Sequence, residues 1–170
     1  IQGGTALQEH STADGLAYSS TGLRLATANE DGSITVWDLT SGQEQTKLEG
    51  HPQSPGAITD IAFSPDDKLL ASATPSELKI WELDTGAELL TNPGQSSLSA
   101  GQIAFSHDSK FVVVPMGQTD LIVVDVASGE SQNYGSDDAV PVGVACSPTA
   151  SIVAMTKMVA GGAETGVDLI

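Results

Sequence analysis

The stretch GSITVWDLTSG, Gly32 to Gly42, decides the fold because the chain writes it again. SELKIWELDTG fills residues 76 to 86 and QTDLIVVDVASG residues 118 to 129. Gly42, Gly86 and Gly129 close the three copies at intervals of 44 and 43 residues. A second phrase precedes each copy: GLAYSSTGLRLATA at 15 to 28, DIAFSPDDKLLASA at 60 to 73 and QIAFSHDSKFVVVP at 102 to 115, with a fourth version, GVACSPTASIVAMT, at 143 to 156. Their shared serines, Ser19, Ser64, Ser106 and Ser147, lie 45, 42 and 41 residues apart. A third phrase occurs as TALQEH at 5 to 10 and as TKLEGH at 46 to 51. The unit is therefore about 42 residues long and is present about four times.

Each phrase alternates apolar and polar residues, the period of a half-buried strand. Ile34 and Val36, Leu78 and Ile80, and Leu121 and Val123 are equivalent pairs on one face. The segments SSTG, SPDDK and SHDSK sit between apolar runs as hairpin turns do. SELKIWELDTGAELL is rich in helix formers and opens on a serine able to cap a helix. Its residues nevertheless superpose one for one on the β-rich copies, and the repeat outranks local propensity.

Composition agrees with many short strands: 18 Gly, 8 Pro and 4% aromatics in 170 residues. Six Lys and Arg stand against 22 Asp and Glu, a formal charge of -16, which repels phosphate backbones and anionic lipid surfaces. Nucleic acid and membrane are thus disfavoured as direct partners. The excess reads as an ordinary acidic surface or as adaptation to high salt, where screening removes self-repulsion. Cys146 is the single cysteine and forms no internal disulfide, so no oxidising compartment is implied and the cytoplasm is favoured.

A repeat of this length carrying four short strands is the pattern of a β-propeller blade. The wording goes further, because the chain resembles the WD40-repeat β-propeller family. Val36-Trp37-Asp38 reproduces the dipeptide that names the family, Ile80-Trp81-Glu82 keeps it with a conservative acid, and Gly50-His51 supplies the Gly-His element. The resemblance implies an all-β fold of about four blades, one segment over 1–170 with units at about 10–50, 51–93, 94–136 and 137–170. Residues 1–9 would form an outer strand of a preceding or closing blade, centred on Thr5 to Gln8. That gives sixteen strands, either as part of a larger propeller, as a closed small ring or as half of a homodimer.

In the family a hydrogen-bonded set ties each blade together. By resemblance the first blade uses His10, Thr27, Asp31 and Trp37, with Glu9 where a glycine is usual. The second offers His51, Ser72 and Trp81 but no Asp, Ser76 being the nearest substitute. Val124 stands where the third blade should carry Trp, and the fourth copy stops near that position. On this reading Trp81 has the less complete network, and Trp37→Phe is the costlier substitution.

Catalytic chemistry finds few footholds. His10, His51 and His107 lack metal-ligand spacing, and His107 falls in a turn where solvation is expected. Cys146 aligns with Tyr18, Phe63 and Phe105 at an apolar strand site, as an inert core thiol would. Asp66-Asp67 and Asp137-Asp138 lie in turns, where a solvated acidic face is expected rather than a Ca²⁺ site. No catalytic residue, cofactor or metal is expected. The family resemblance implies a non-catalytic scaffold that binds a protein or peptide on its rim loops; the alternative is a propeller-type enzyme or metal-dependent sensor with its site in the central channel. Rim candidates are Asn29, Glu30 and Asp31, Pro75 and Ser76, Gln118, Thr119 and Asp120, and residues 53 to 56. Glu30 and Asp120 bring charge that no neighbouring Lys or Arg in the sequence offsets, which favours a basic peptide.

Overall fold

The computed structural model describes residues 15–53, 58–93, 103–116, 120–135, 139–147, 149–150, 152–159 and 165–169. The repeated phrases fold as successive antiparallel meanders. β1 (Leu16–Tyr18), β2 (Arg24–Ala28), β3 (Ile34–Asp38) and β4 (Gln43–Leu48) make the first sheet in that order. β5 (Asp60–Phe63), β6 (Leu69–Ala73), β7 (Glu77–Glu82) and β8 (Glu88–Pro93) make the second. β9 (Ala104–Phe105), β10 (Phe111–Met116), β11 (Asp120–Asp125) and β12 (Ser131–Gly135) make the third. The fourth holds β13 (Ala139–Cys146), β14 (Val153–Val159) and β15 (Thr165–Leu169). The described residues therefore contain fifteen strands and no helix. The strand expected over Thr5 to Gln8 lies outside them.

Register makes the repeat quantitative. Leu25 pairs with Trp37, Leu70 with Trp81 and Val112 with Val124, so the three copies occupy one structural position. In the fourth sheet Val153 pairs with Cys146 as Leu25 does with Tyr18, so Ala154 corresponds to Ala26 and its partner Leu169 to Val36. A register shift between Val36 and Trp37 recurs between Ile80 and Trp81, in front of each tryptophan.

The alternation predicted from the sequence sorts side chains between neighbours. Ile34 and Val36 of the first sheet join Ile58, Ile61, Leu70 and Trp81 of the second in one buried cluster. Leu78 and Ile80 face the other way and pack with Phe105, Val112, Ile122 and Val124 of the third. Val113 and Leu121 then meet Val144 of the fourth. The second and third sheets thus each share one core with the sheet before and another with the sheet after, as stacked repeats do.

Meander topology sends the connections to two ends. The β2–β3 and β6–β7 turns share an end with the links that lead into each new sheet. The turns after the inner strands β1, β5 and β9 lie at the other end, with the turns between third and fourth strands. At that second end Gly22, Asp67 and Ser109 hold equivalent left-handed conformations, φ 69°, 56° and 61°. The inner strands β1 and β5 lie side by side, as do β5 and β9, and β9 and β13.

Candidate functional site

Two polar sets sit between apolar strands. In the second sheet Trp81 Nε1 donates to Ser72 Oγ at 2.8 Å, and His51 Nε2 meets the same oxygen at 2.6 Å. The other imidazole nitrogen, Nδ1, lies 2.8 Å from Glu77 Oε1. His51, Ser72 and Trp81 are all buried, at 6%, 0% and 1% exposure. Burial lowers the His51 pKa, and the Glu77 carboxylate opposes that shift without overcoming it. Gly50 precedes the histidine because a Cβ there would stand 3.0 Å from Trp81 Cη2. Lys79 Nζ lies 5.9 Å from the centre of the Trp81 ring and is held by Glu88 Oε2 at 2.8 Å and Thr91 Oγ1 at 2.8 Å. The ammonium in turn holds the Glu88 pKa below its ordinary value.

Glu77, which the sequence reading passed over, takes the place where an Asp was sought. Ser76, the substitute named from the sequence, is exposed and bonds Thr74 instead. The Trp81 network is therefore not left without an acid, as the sequence had suggested.

In the first sheet Trp37 is 7% exposed and donates Nε1–H to Thr27 Oγ1 at 3.1 Å. Asp31 spends one oxygen on the Ser33 amide and hydroxyl and the other on Lys47 Nζ at 3.2 Å. Those contacts, the Ser33 hydroxyl first, lower its pKa to about 2. His10 lies outside the described residues. In the third sheet Val114 occupies the place of Thr27 and Ser72, and Val124 that of tryptophan. Both are 2% exposed. At these two positions the tryptophan and its acceptor are replaced together, so neither leaves the other unpaired.

The rim candidates separate by burial. Glu30, Pro75 and Ser76 are exposed, while Asn29 is half-buried and bonded to Ser33 Oγ and Thr35 Oγ1, each at 2.9 Å. Asp120 opens β11; Gln118, Thr119 and residues 54 to 56 lie outside the described residues. Lys47 corrects the view that no cation sits among the rim acids, since its Nζ lies 3.2 Å from Asp31 Oδ2 and 3.4 Å from Glu49 Oε1. Asp31, Gly32, Ser33, Glu49, Gly50, His51 and Gln53 enclose a small cavity of about 80 Å3 at this end. Gly32 holds φ 79° there, and a Cβ on it would come within 2.4 Å of the Pro52 carbonyl oxygen.

At the opposite end the exposed Asp66 and the half-buried Asp67 hold turns together. Asp67 Oδ1 accepts from the Ser20 amide at 2.7 Å, and Oδ2 from the Thr21 hydroxyl at 2.7 Å and amide at 3.1 Å. Ser20 Oγ donates to Pro65 O, and Arg24 Nη1 to Asp67 O. Asp66 accepts from the Ser64 hydroxyl and the Lys68 amide. At the rim end Asp60, the first residue of β5, takes the Ile103 amide on Oδ2 at 2.6 Å and links the second sheet to the third; burial raises its pKa. Cys146 is half-buried, and burial raises its thiol pKa. His107 is half-buried, not the solvated turn residue expected, with Nδ1 buried and unpartnered among the described residues.

Consecutive four-stranded meanders, inner strand beside inner strand and core shared from sheet to sheet, define the chain as a β-propeller. The family described as "WD domain, G-beta repeat" matches residues 4–38 and 42–82, and the chain belongs to the WD40-repeat β-propellers. It is 28% identical over 109 residues to human "Kinesin-like protein KIF21A" and 33% identical over 87 residues to rat "WD repeat-containing protein 1". Those matches take in 62% and 51% of this chain but only 6% and 14% of the relatives. The propeller domain of Myceliophteria thermophila Cps50 (Swd1) superposes with a TM-score of 0.75 at 15% identity, over 90% of this chain and 53% of that one, a likeness of fold alone. WD40 domains are in general protein-interaction scaffolds. Among the described residues no helix is long and apolar enough to cross a membrane.

Proposed function

We propose that this protein is a non-catalytic scaffold that binds a basic peptide on the rim formed by the β2–β3 and β6–β7 turns and the link at 49–53. The observation that carries the reading is the small cavity lined by Asp31 and Glu49, two carboxylates that share the single Lys47 ammonium. A partner lysine or arginine entering there meets two carboxylates that one resident cation does not balance. Glu30 adds a third charge on the same turn, and the exposed Pro75 and Ser76 extend the surface to the next blade. Both turns hang from rigid strands, so little order has to be created on binding.

The test is a binding titration with a lysine- and arginine-rich peptide library and its acidic counterpart. Reversing charge at Glu30→Lys and Glu49→Lys should weaken the selected basic peptide by about tenfold or more, the loss expected where like charges are juxtaposed. Equal binding by the double variant would remove the rim from the account.

A further inference from the structure

The inner strands of four blades end on one cavity, at the opposite end of the molecule from the rim. It measures about 300 Å3, and Tyr18, Phe63, Phe105 and Cys146 wall it. Each is the last residue of its inner strand, β1, β5, β9 and β13. His107 adds an imidazole from the turn after β9. The chain has seven aromatic residues, two of them tryptophans, and three of the seven meet here. Such a concentration exceeds what sealing the strand ends requires, because Tyr18 remains 65% exposed while Phe105 is 5% exposed. The volume lies at the lower limit for small-ligand sites, which are mostly apolar with a few polar groups.

Charge indicates what enters. The turns that frame the cavity, with the first residue of β2, carry Asp66, Asp67 and Asp108 against Arg24, Lys68 and Lys110, three of each sign in a chain of formal charge -16. Asp108 is paired with Lys110 at 3.2 Å, and Asp67 accepts from the neighbouring blade's turn. This is a locally balanced site on an acidic molecule, where a charged ligand of either sign gains little. Aromatic walls favour a ring, through offset or edge-to-face contact.

We propose that this cavity binds a neutral aromatic ring of the phenol or indole class, supplied by a free small molecule or by a tyrosine or tryptophan side chain of a partner. Tyr18 forms the movable lip, Phe63 and Phe105 the walls, and His107 a wall group that both stacks and hydrogen-bonds. The proposal is independent of the rim reading, since the two sites share no residue.

Cys146 makes the test direct, because it is the sole thiol of the chain and lines the cavity. Its alkylation by N-ethylmaleimide is timed with and without indole, N-acetyl-tryptophanamide, cyclohexanol and tetramethylammonium, while amide shifts of Ser20, Ser64, His107 and Ser147 are followed by NMR. Indole should slow alkylation and shift those amides with a Kd of about 1 mM, the range a ring of about ten atoms reaches. Tyr18→Ser should lose most of both effects and Tyr18→Phe should keep them, with unchanged melting temperatures. A tryptophan-containing peptide that acts at lower concentration than the free ring assigns the ring to a partner; equal potency assigns it to a small molecule. Absence of amide shifts at the solubility limit of indole, equal effects from tetramethylammonium or cyclohexanol, or full retention in Tyr18→Ser would overturn the proposal.

Discussion

Ser72 is the residue on which most depends, because one hydroxyl oxygen serves both Trp81 and His51 inside a closed core. Ser72→Ala strands an indole N–H and an imidazole nitrogen, each costing about 1 to 3 kcal/mol when buried unpaired. Denaturant titration should therefore show a loss of about 2 to 4 kcal/mol. Val114, at the same position of the third blade, has no such dependants, and Val114→Ala should cost only its packing, about 1 to 2 kcal/mol. His51 adds a pH signature. Its folded pKa lies below the ordinary 6.5, so the unfolded chain binds the extra proton first, and stability is lost as pH falls from about 6.5 through the folded value. Asp31 and Asp108, held near 2, release their contributions only below the carboxylate range, and Asp60, with its raised pKa, acts with the opposite sign. The difference in melting temperature between the native protein and His51→Gln should widen in favour of the variant between pH 7 and pH 5; a constant difference would remove His51 from the pH response.

Between elements, the turn at 64–68 holds the turn at 19–23 through Asp67. Asp67→Ala deletes three hydrogen bonds to Ser20 and Thr21 at a partly exposed site. It should cost about 1 to 2 kcal/mol, less than buried charge-assisted bonds would suggest. Hydrogen exchange should show faster opening at Ser20 and Thr21 amides, with β7 and β8 little changed. The strands were legible because period-two alternation and the 43-residue spacing agree wherever the chain repeats itself. Glu77 was not, for a geometric reason. Five residues separate Ala28 from Ile34 but only four separate Ala73 from Leu78, so the slot of Asp31 is deleted, and a longer acid at the start of β7 reaches the histidine instead. A search for a larger carboxylate one place later would have found it. The burial of His107 had no sequence signal, because the cavity that half-covers it is assembled from four separate blades.

For the whole molecule, the formal charge of -16 acts through two ends of different character. One end gathers Asp31 and Glu49 around Lys47, with Glu30 exposed on the same turn; the other balances acids and cations around an aromatic cavity. The central claim, an acidic rim that recruits a basic peptide, is tested most directly by the ionic-strength dependence of that binding. Calorimetric titration of one lysine- and arginine-rich peptide at about 50 mM and about 500 mM salt, across which the screening length falls severalfold, gives the answer. Binding should weaken at least about tenfold at the higher salt, with the loss reduced in Glu30→Lys. An affinity that stays constant across that range would contradict it.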